Sequence, residues 1–513
     1  MPSYAKGLVI GVWALFMVIF GLISFPNHYT FRTYALDLGY SLQLMEYHSR
    51  GYLIPRGLTM SNPFLDTEKW QVAPHASPSV LTALPFYWVG GAWGLLVHQW
   101  VLIGVMAWGF FAYAYHRTGL WQAGLLTMLH FLGMWGITSL FGFDWHEVVS
   151  GIAWFPWMLY AIEKRKLWLF ILSWALFIGG KENFTLWGIW IALWLGLFMY
   201  RKAEERRWLA LAGAVAALWF VLAYFLYKGG EKSVSRLSLY AYLGAKDPLS
   251  IFRGEAPMPD FSFTAVAKTI FLRPQLIWTL LFESPSADPH TIGIKSELHW
   301  TVLWSGGWSF IFQPIALILL LPVYLYKMLS ADYQLWGTLL HYNMEFAAVL
   351  PIAVLWAAER WRGQLSFWIA LGGGALGAHA INLSLLDGRY SKWYDPERHR
   401  WYSQKHYCSP YSYKKIHEGL RLIPREAPVS ALSQLAPHIP PRTGYYHYPA
   451  IQDAQYIALL RGSTNPWPLS PQELAQHIQN LESSPEWEKV WDKDSLIIFR
   501  RKSSPEKAAR QPD

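Results

Sequence analysis

This chain carries eleven apolar stretches, at 7–23, 95–115, 120–140, 148–162, 167–179, 184–200, 208–226, 300–311, 314–326, 346–358 and 365–380. A helix needs about 20 apolar residues to cross a bilayer, and several stretches fall short, so some must tilt or pack inside a bundle. In hydrocarbon every backbone amide must be paired within its own segment, which leaves the helix as the natural solution for uninterrupted runs. The expected fold class is an all-α polytopic membrane bundle of about eleven spans. The first stretch runs directly into Phe25-Pro-Asn-His28 with no small-residue cleavage site, and so reads as an uncleaved span and not a signal peptide.

With 53% hydrophobic and 15% charged residues, the chain is too apolar for an ordinary soluble domain. Its 31 Trp and 29 Tyr suit many membrane interfaces, where amphipathic rings settle at headgroup depth. The net charge of +9 is dispersed in short clusters beside apolar runs, a positive-inside pattern that makes the lipid bilayer the partner and excludes nucleic acid. The single Cys408 rules out an intrachain disulfide and any multi-Cys metal site. No GxxxxGK[ST], partnered GxSxG or HExxH motif occurs, so an ATPase, an α/β hydrolase or a zincin has no support.

Acidic and histidine side chains gather at one end of the apolar segments and Lys/Arg clusters at the other. Asp37, His75, Asp144, His146, Glu147, Lys181 and Glu182 share the first end; 115–119, 163–166 and 200–207 share the second. With a cytoplasmic N-terminus, the basic clusters fall on the cytoplasmic side and the acidic end outside. The apolar piece 78–91, broken by Pro85, is then re-entrant or interfacial, since a full crossing would invert every later loop. The expected organisation is a membrane domain, 1–380, with outer-face loops 25–94 and 227–299, then an extracytoplasmic α/β domain, 381–500, and a disordered tail, 501–513. Within the second domain, 421–435 reads as a strand-to-helix unit, 455–460 and 495–500 as strands, and 471–481 as an amphipathic helix.

Ionisable groups at membrane depth are costly unless paired or at work, so the acidic end is where a site is sought. Asp37, with Arg32 upstream and Gln43 and Glu46 downstream, can act as a general base toward a hydroxyl if held near apolar surface; on spacing alone the plainer readings, an N-cap or an interfacial Asp, are favoured. Asp144-Trp-His-Glu147 can bind a divalent metal with help from His75, Asp37 or His299, orient a sugar hydroxyl or hold a phosphate; the plain alternative is a polar hairpin. Lys181, beside Glu182 and Asn183, grips an anion or forms an ion pair with Asp144 or Glu147. His75 lies between Pro74 and Pro78, and His341-Tyr342 precedes a late span. The long loop from 228 to 299 is rich in charges suited to recognition, with no roles readable in it. A transporter is disfavoured, because its polar residues belong at mid-span.

Asp37-Leu-Gly with Gln43, His75-x-Ser-Pro, His146-Glu147, Lys181-Glu182 and His341-Tyr342 together resemble the bacterial predicted-membrane-protein family called domain of unknown function twenty seventy-nine. That family is similar to the GT-C glycosyltransferases, membrane enzymes that take a sugar from a polyprenyl-phosphate donor on the outer face. The resemblance implies a GT-C-like fold over 7–380, a polyprenyl-phosphate sugar donor, an unidentified cell-envelope acceptor, and Asp37 as the catalytic carboxylate. It implies substrate-binding roles for Arg32, Gln43, His75, Asp144, His146, Glu147, Lys181, Glu182, His341 and Tyr342, with a metal possible but not required. Asn183 stands where the family more often has an acid, which weakens a metal role there. The alternative is a non-catalytic lipid-carrier-binding or envelope-assembly protein, for which Lys181 and His75 matter and Asp37 does not.

Overall fold

The computed structural model describes residues 1–53, 75–227, 236–284, 286 and 288–502. The expected tail therefore lies almost wholly outside the described residues, as do parts of both long loops. All eleven apolar stretches are helical. Among the described residues, five helices are long and apolar enough to cross a membrane: Ser3–Tyr29, Pro78–Thr118, Glu182–Met199, Ala203–Leu226 and Leu365–Asp387. Two further candidates are bent pairs, Trp121–Leu132 with Trp135–Phe141 at 50° and Phe263–Leu272 with Pro274–Phe282 at 91°. Val148–Glu163, Leu167–Ile178 and Pro314–Met328 are shorter apolar helices.

The piece from Pro78 is joined to the helix ending at Thr118, but the chain turns back sharply at Gly91, where φ is 53° and ψ −124°. A β-carbon at Gly94 would sit 1.9 Å from the Phe86 carbonyl oxygen, so the two arms touch across the turn and only glycine fits. Beyond the turn the helix runs straight to Arg117, a rise of about 36 Å at 1.5 Å per residue. One end of the bundle thus carries Asp37, Asp144 and Glu147, and the other carries Arg117 with Glu163 and Glu359.

Within the outer-face loop expected at 227–299, the described residues from 236 onward are largely helical. Its apolar pair 263–282 escaped a membrane reading because Arg273-Pro274 interrupts the run, and proline, lacking an amide hydrogen, breaks the helix there.

The C-terminal part is a five-stranded sheet of β1 (Val429–Ala431), β2 (Tyr445–His447), β3 (Tyr456–Leu460), β4 (Trp487–Lys493) and β5 (Leu496–Arg501), in the order β2-β1-β3-β5-β4. β1 is parallel to both β2 and β3, while β3, β5 and β4 pair antiparallel. The helix Pro471–Ser483 opens with a capping box between Ser470 and Glu473. No helix follows β1: only the 3-10 turn Ala436–His438 forms, because Pro440-Pro441 cannot continue a helix. Phe31, Leu38, Leu42 and Met45 of the first loop share one core with Ile416, Val429, Ile457 and Ile498 of the sheet region. The sheet is therefore seated on the loop that bears Asp37.

Candidate functional site

After the helix Ser3–Tyr29 the chain enters a π-helical turn, Ala35–Gly39, and continues as the helix Tyr40–Ser49. π turns interrupt regular i→i−4 pairing and leave backbone groups for other partners. Here the partner is Asp144, whose Oδ2 accepts the Tyr34 amide at 2.7 Å and the Leu38 amide at 3.3 Å. Asp37 lies between them, 29% exposed, with Oδ1 3.7 Å from His146 Nδ1. Gln99 clamps the opposite side of the Asp144 loop: its Nε2 donates to the Asp144 carbonyl at 3.2 Å and its Oε1 accepts the His146 amide at 3.0 Å.

Asp144 is fully buried. Burial and the Asp37 carboxylate push its carboxyl up to about 8, against the pull of Arg398 and the two amides. His146 is stacked between Phe143 and His341, with ring centroids 5.4 and 3.8 Å away. Burial, with Lys181 and Arg398 nearby, keeps its imidazole well below its usual range and hence neutral at pH 7.

A second cluster adjoins the first through Glu147. His75 Nδ1 lies 2.6 Å from Glu182 Oε1 and His75 Nε2 3.5 Å from Glu147 Oε1, so one imidazole bridges two carboxylates. Ser77 Oγ donates to Glu147 Oε2 at 2.8 Å, and Lys181 Nζ stands 3.9 Å from Glu147 Oε1. Glu182 opens the helix Glu182–Trp194, where an acidic residue complements the helix dipole. Cations and anions are thus packed side by side, an arrangement able to exchange an internal partner for an anionic ligand.

The expected site residues Asp37, His75, Asp144, His146, Glu147, Lys181, Glu182 and His341 are all drawn together by these contacts. Tyr342 is adjacent, its carbonyl accepting from Lys327 Nζ at 2.9 Å. Two expected substrate-binding residues are engaged elsewhere. Arg32 donates to the carbonyls of Glu397, Lys405, His406 and Cys408 and pairs with Glu397 at 3.3 Å. Gln43 Oε1 accepts the Arg442 amide at 3.3 Å. Both are used to hold the C-terminal part, which sequence spacing around Asp37 cannot reveal. His299 is also away from the Asp144 loop, bonded to the Leu281 carbonyl at 2.9 Å. Among the described residues, no group of three or more His, Cys, Asp or Glu is arranged to hold a metal ion.

Sequence reading assigned no role to Gln99, Arg398 or Ser77, the last quoted only as part of His75-x-Ser-Pro. Gln99 had a signal, as a polar residue inside the apolar stretch 95–115. Arg398 had none, lying in a polar segment far along the chain.

A family model described as predicted membrane protein, DUF2079, matches residues 27–498. The chain belongs to this family. The resemblance read from Asp37, His75, His146-Glu147 and Lys181-Glu182 is therefore borne out at the level of the DUF2079 family. No curated protein matches this DUF2079 chain in sequence. Among solved structures it is similar to the crystal structure of ArnT from Cupriavidus metallidurans bound to undecaprenyl phosphate. The match has a TM-score of 0.51 and 11% identity, covering 97% of this chain and 98% of that one. At that identity the likeness is one of fold: the DUF2079 chain is a GT-C-like membrane bundle with a small C-terminal sheet region.

Proposed function

We propose that this protein is an integral membrane glycosyltransferase that moves a sugar from a polyprenyl-phosphate donor to a cell-envelope acceptor on the outer face of a bacterial plasma membrane. The observation that carries the reading is the setting of Asp37: a half-buried carboxylate on a backbone turn pinned by Asp144, beside a Lys181–Glu147–His75–Glu182 cluster, at one end of a GT-C-like bundle. The ligand bound in the ArnT structure, undecaprenyl phosphate, is of the donor's lipid class.

In this mechanism Asp37 accepts the proton of an acceptor hydroxyl as its oxygen attacks the anomeric carbon. The bond from that carbon to the phosphate oxygen breaks, and the phosphate leaves with the electron pair. Lys181 and, when protonated, His75 offset the charge that develops on the phosphate. Glu147 and Glu182 hold these cations until the donor displaces them, and His146, stacked on His341, orients the sugar. The basic end bearing Arg117 then faces the cytoplasm.

The test is transfer of radiolabelled sugar from polyprenyl-phosphate donors by the purified protein, wild type beside Asp37→Asn. Transfer lost in the variant supports the assignment; full transfer by Asp37→Asn sinks it. No transfer by either, with polyprenyl-phosphate binding that survives Asp37→Asn and fails in Lys181→Ala, replaces it with a carrier-binding protein.

A further inference from the structure

Beyond the helix Leu365–Asp387 the chain does not go straight into the sheet. Residues 388–411 run as a strap across the acidic end of the bundle, tied down on both sides. On one side Arg389 Nη1 donates to Ser139 Oγ at 2.7 Å and to the Thr338 carbonyl at 2.6 Å, and the Tyr390 amide donates to Glu297 Oε2 at 2.7 Å. On the other, Arg32 binds four strap carbonyls and His406 Nε2 lies 2.8 Å from the Leu22 carbonyl.

Between these anchors Arg398 enters the site. It is 8% exposed, its guanidinium lies over the rings of Phe143 at 4.5 Å and Tyr34 at 4.9 Å, and its Nη2 stands 3.5 Å from Asp144 Oδ1. Its backbone is fixed as well, the carbonyl accepting from Asn27 Nδ2 at 2.9 Å. Its Nε is buried with no hydrogen-bond partner among the described residues.

We propose that Arg398 is a positioning residue for the transfer reaction, acting through Asp144 on the turn that carries Asp37. The inference rests on the glycosyltransferase reading above. One oxygen of Asp144 holds the amides on either side of Asp37, and the other faces the guanidinium. A fully buried carboxylate next to another carboxylate holds its proton to high pH, and the guanidinium beside it lowers the pH at which it ionises. Once ionised, it is a stronger acceptor for the two amides, and the turn is pinned more firmly.

The ionisable groups around Asp144 are Asp37 and Tyr34 on the turn, His146 on its own loop, and Arg398 and His399 on the strap, His399 being packed over Gly142. His146 and His399 are both held neutral by burial. Arg398 is thus the permanent cation among these groups.

The test uses the full-length chain in detergent as wild type, Arg398→Met, Arg398→Lys, Asp144→Asn and the double variant. Melting temperature is followed from about pH 5 to about pH 9, a range that brackets titration of a buried carboxyl. The deficit of Arg398→Met is expected to be small at the acid end, to widen as pH rises, and to shrink in the Asp144→Asn background. A deficit that is equal at every pH and in both backgrounds would mean that Arg398 only fills space between Phe143 and Tyr34, and would overturn the proposal. In the transfer assay Arg398→Met is expected to lower kcat by roughly 30-fold, with KM changed less than about twofold and Arg398→Lys partly restored, as befits loss of orientation and not of ligand contact. A variant that raises KM alone would make Arg398 a ligand-binding residue instead. If Arg398→Met does not fold, Arg398→Lys and the double variant carry the pH comparison. If the wild type transfers no sugar, the glycosyltransferase reading fails by itself while the melting curves still decide whether Arg398 and Asp144 are coupled.

Discussion

The two charged ends of the bundle are built on opposite principles. At one, Arg117 joins Glu163 and Glu359, and its Nη1 lies 3.4 Å from the hydroxyl of Tyr113, which in turn accepts from Trp356 Nε1 at 2.7 Å. One cation satisfies two acids, and none of the three charged side chains leaves a buried atom without a partner. At the other, Asp37, Asp144, Glu147 and Glu182 crowd around Lys181, Arg398 and two histidines, and His146 Nε2, Glu182 Oε2 and Arg398 Nε are buried without a hydrogen-bond partner among the described residues. A cluster that closes on itself stabilises the fold, whereas one that leaves costly groups unpaired is the place to test for a ligand.

The contrast can be broken in order of effect. Asp37→Asn is expected to reduce transfer by about 1,000-fold or more, the scale of losing a general base, with the melting temperature nearly unchanged because Asp37 is partly exposed. A large melting shift would instead make Asp37 structural. Arg117→Met, which leaves Glu163 and Glu359 facing each other, is expected to cost about 2–3 kcal/mol of stability while each folded molecule keeps its transfer rate; loss of activity without loss of stability would erase the distinction between the ends. Lys181→Ala is expected to weaken binding of a polyprenyl phosphate roughly 10-fold to 30-fold, measured by equilibrium binding, in keeping with one charge-assisted contact.

The smallest effect concerns protons. The Asp144 carboxyl, raised in the folded state to about 8, binds its proton more tightly there than in the unfolded chain, where its affinity is near 4. Its favourable contribution is therefore complete below about pH 4 and lost as pH rises through about 8. Asp144→Asn, neutral throughout, should gain on the wild type in melting temperature steadily across that window; a difference independent of pH would mean that Asp144 does not titrate there.

What the sequence made legible was whatever repeats along it. Apolar runs gave the helices, and the β-branched and aromatic content of 455–460 and 495–500, with the amphipathic pattern of 471–481, gave parts of the sheet region. Asp37, His146 and Lys181 were visible because a charge in an apolar setting is conspicuous. Arg398 and the diversion of Arg32 and Gln43 were not, because each depends on a partner hundreds of residues away: Arg32 reaches the Cys408 carbonyl across 376 residues and Gln43 the Arg442 amide across 399. The helices of 263–282 were hidden by Arg273-Pro274, whose local polarity masks two apolar helices on either side.

The strap also sets a timetable for biogenesis. Asp144 is sealed by a residue made 254 positions later, and the first loop is tied by carbonyls made later still. At about 5–20 residues per second of synthesis, the acidic loops wait on the order of 20–80 s between the appearance of Arg32 and that of Cys408. During that interval the Asp37 turn has neither its strap nor its sheet, so no truncated or half-inserted chain holds a finished site. Completion of the acidic site is thereby made contingent on completion of the polypeptide.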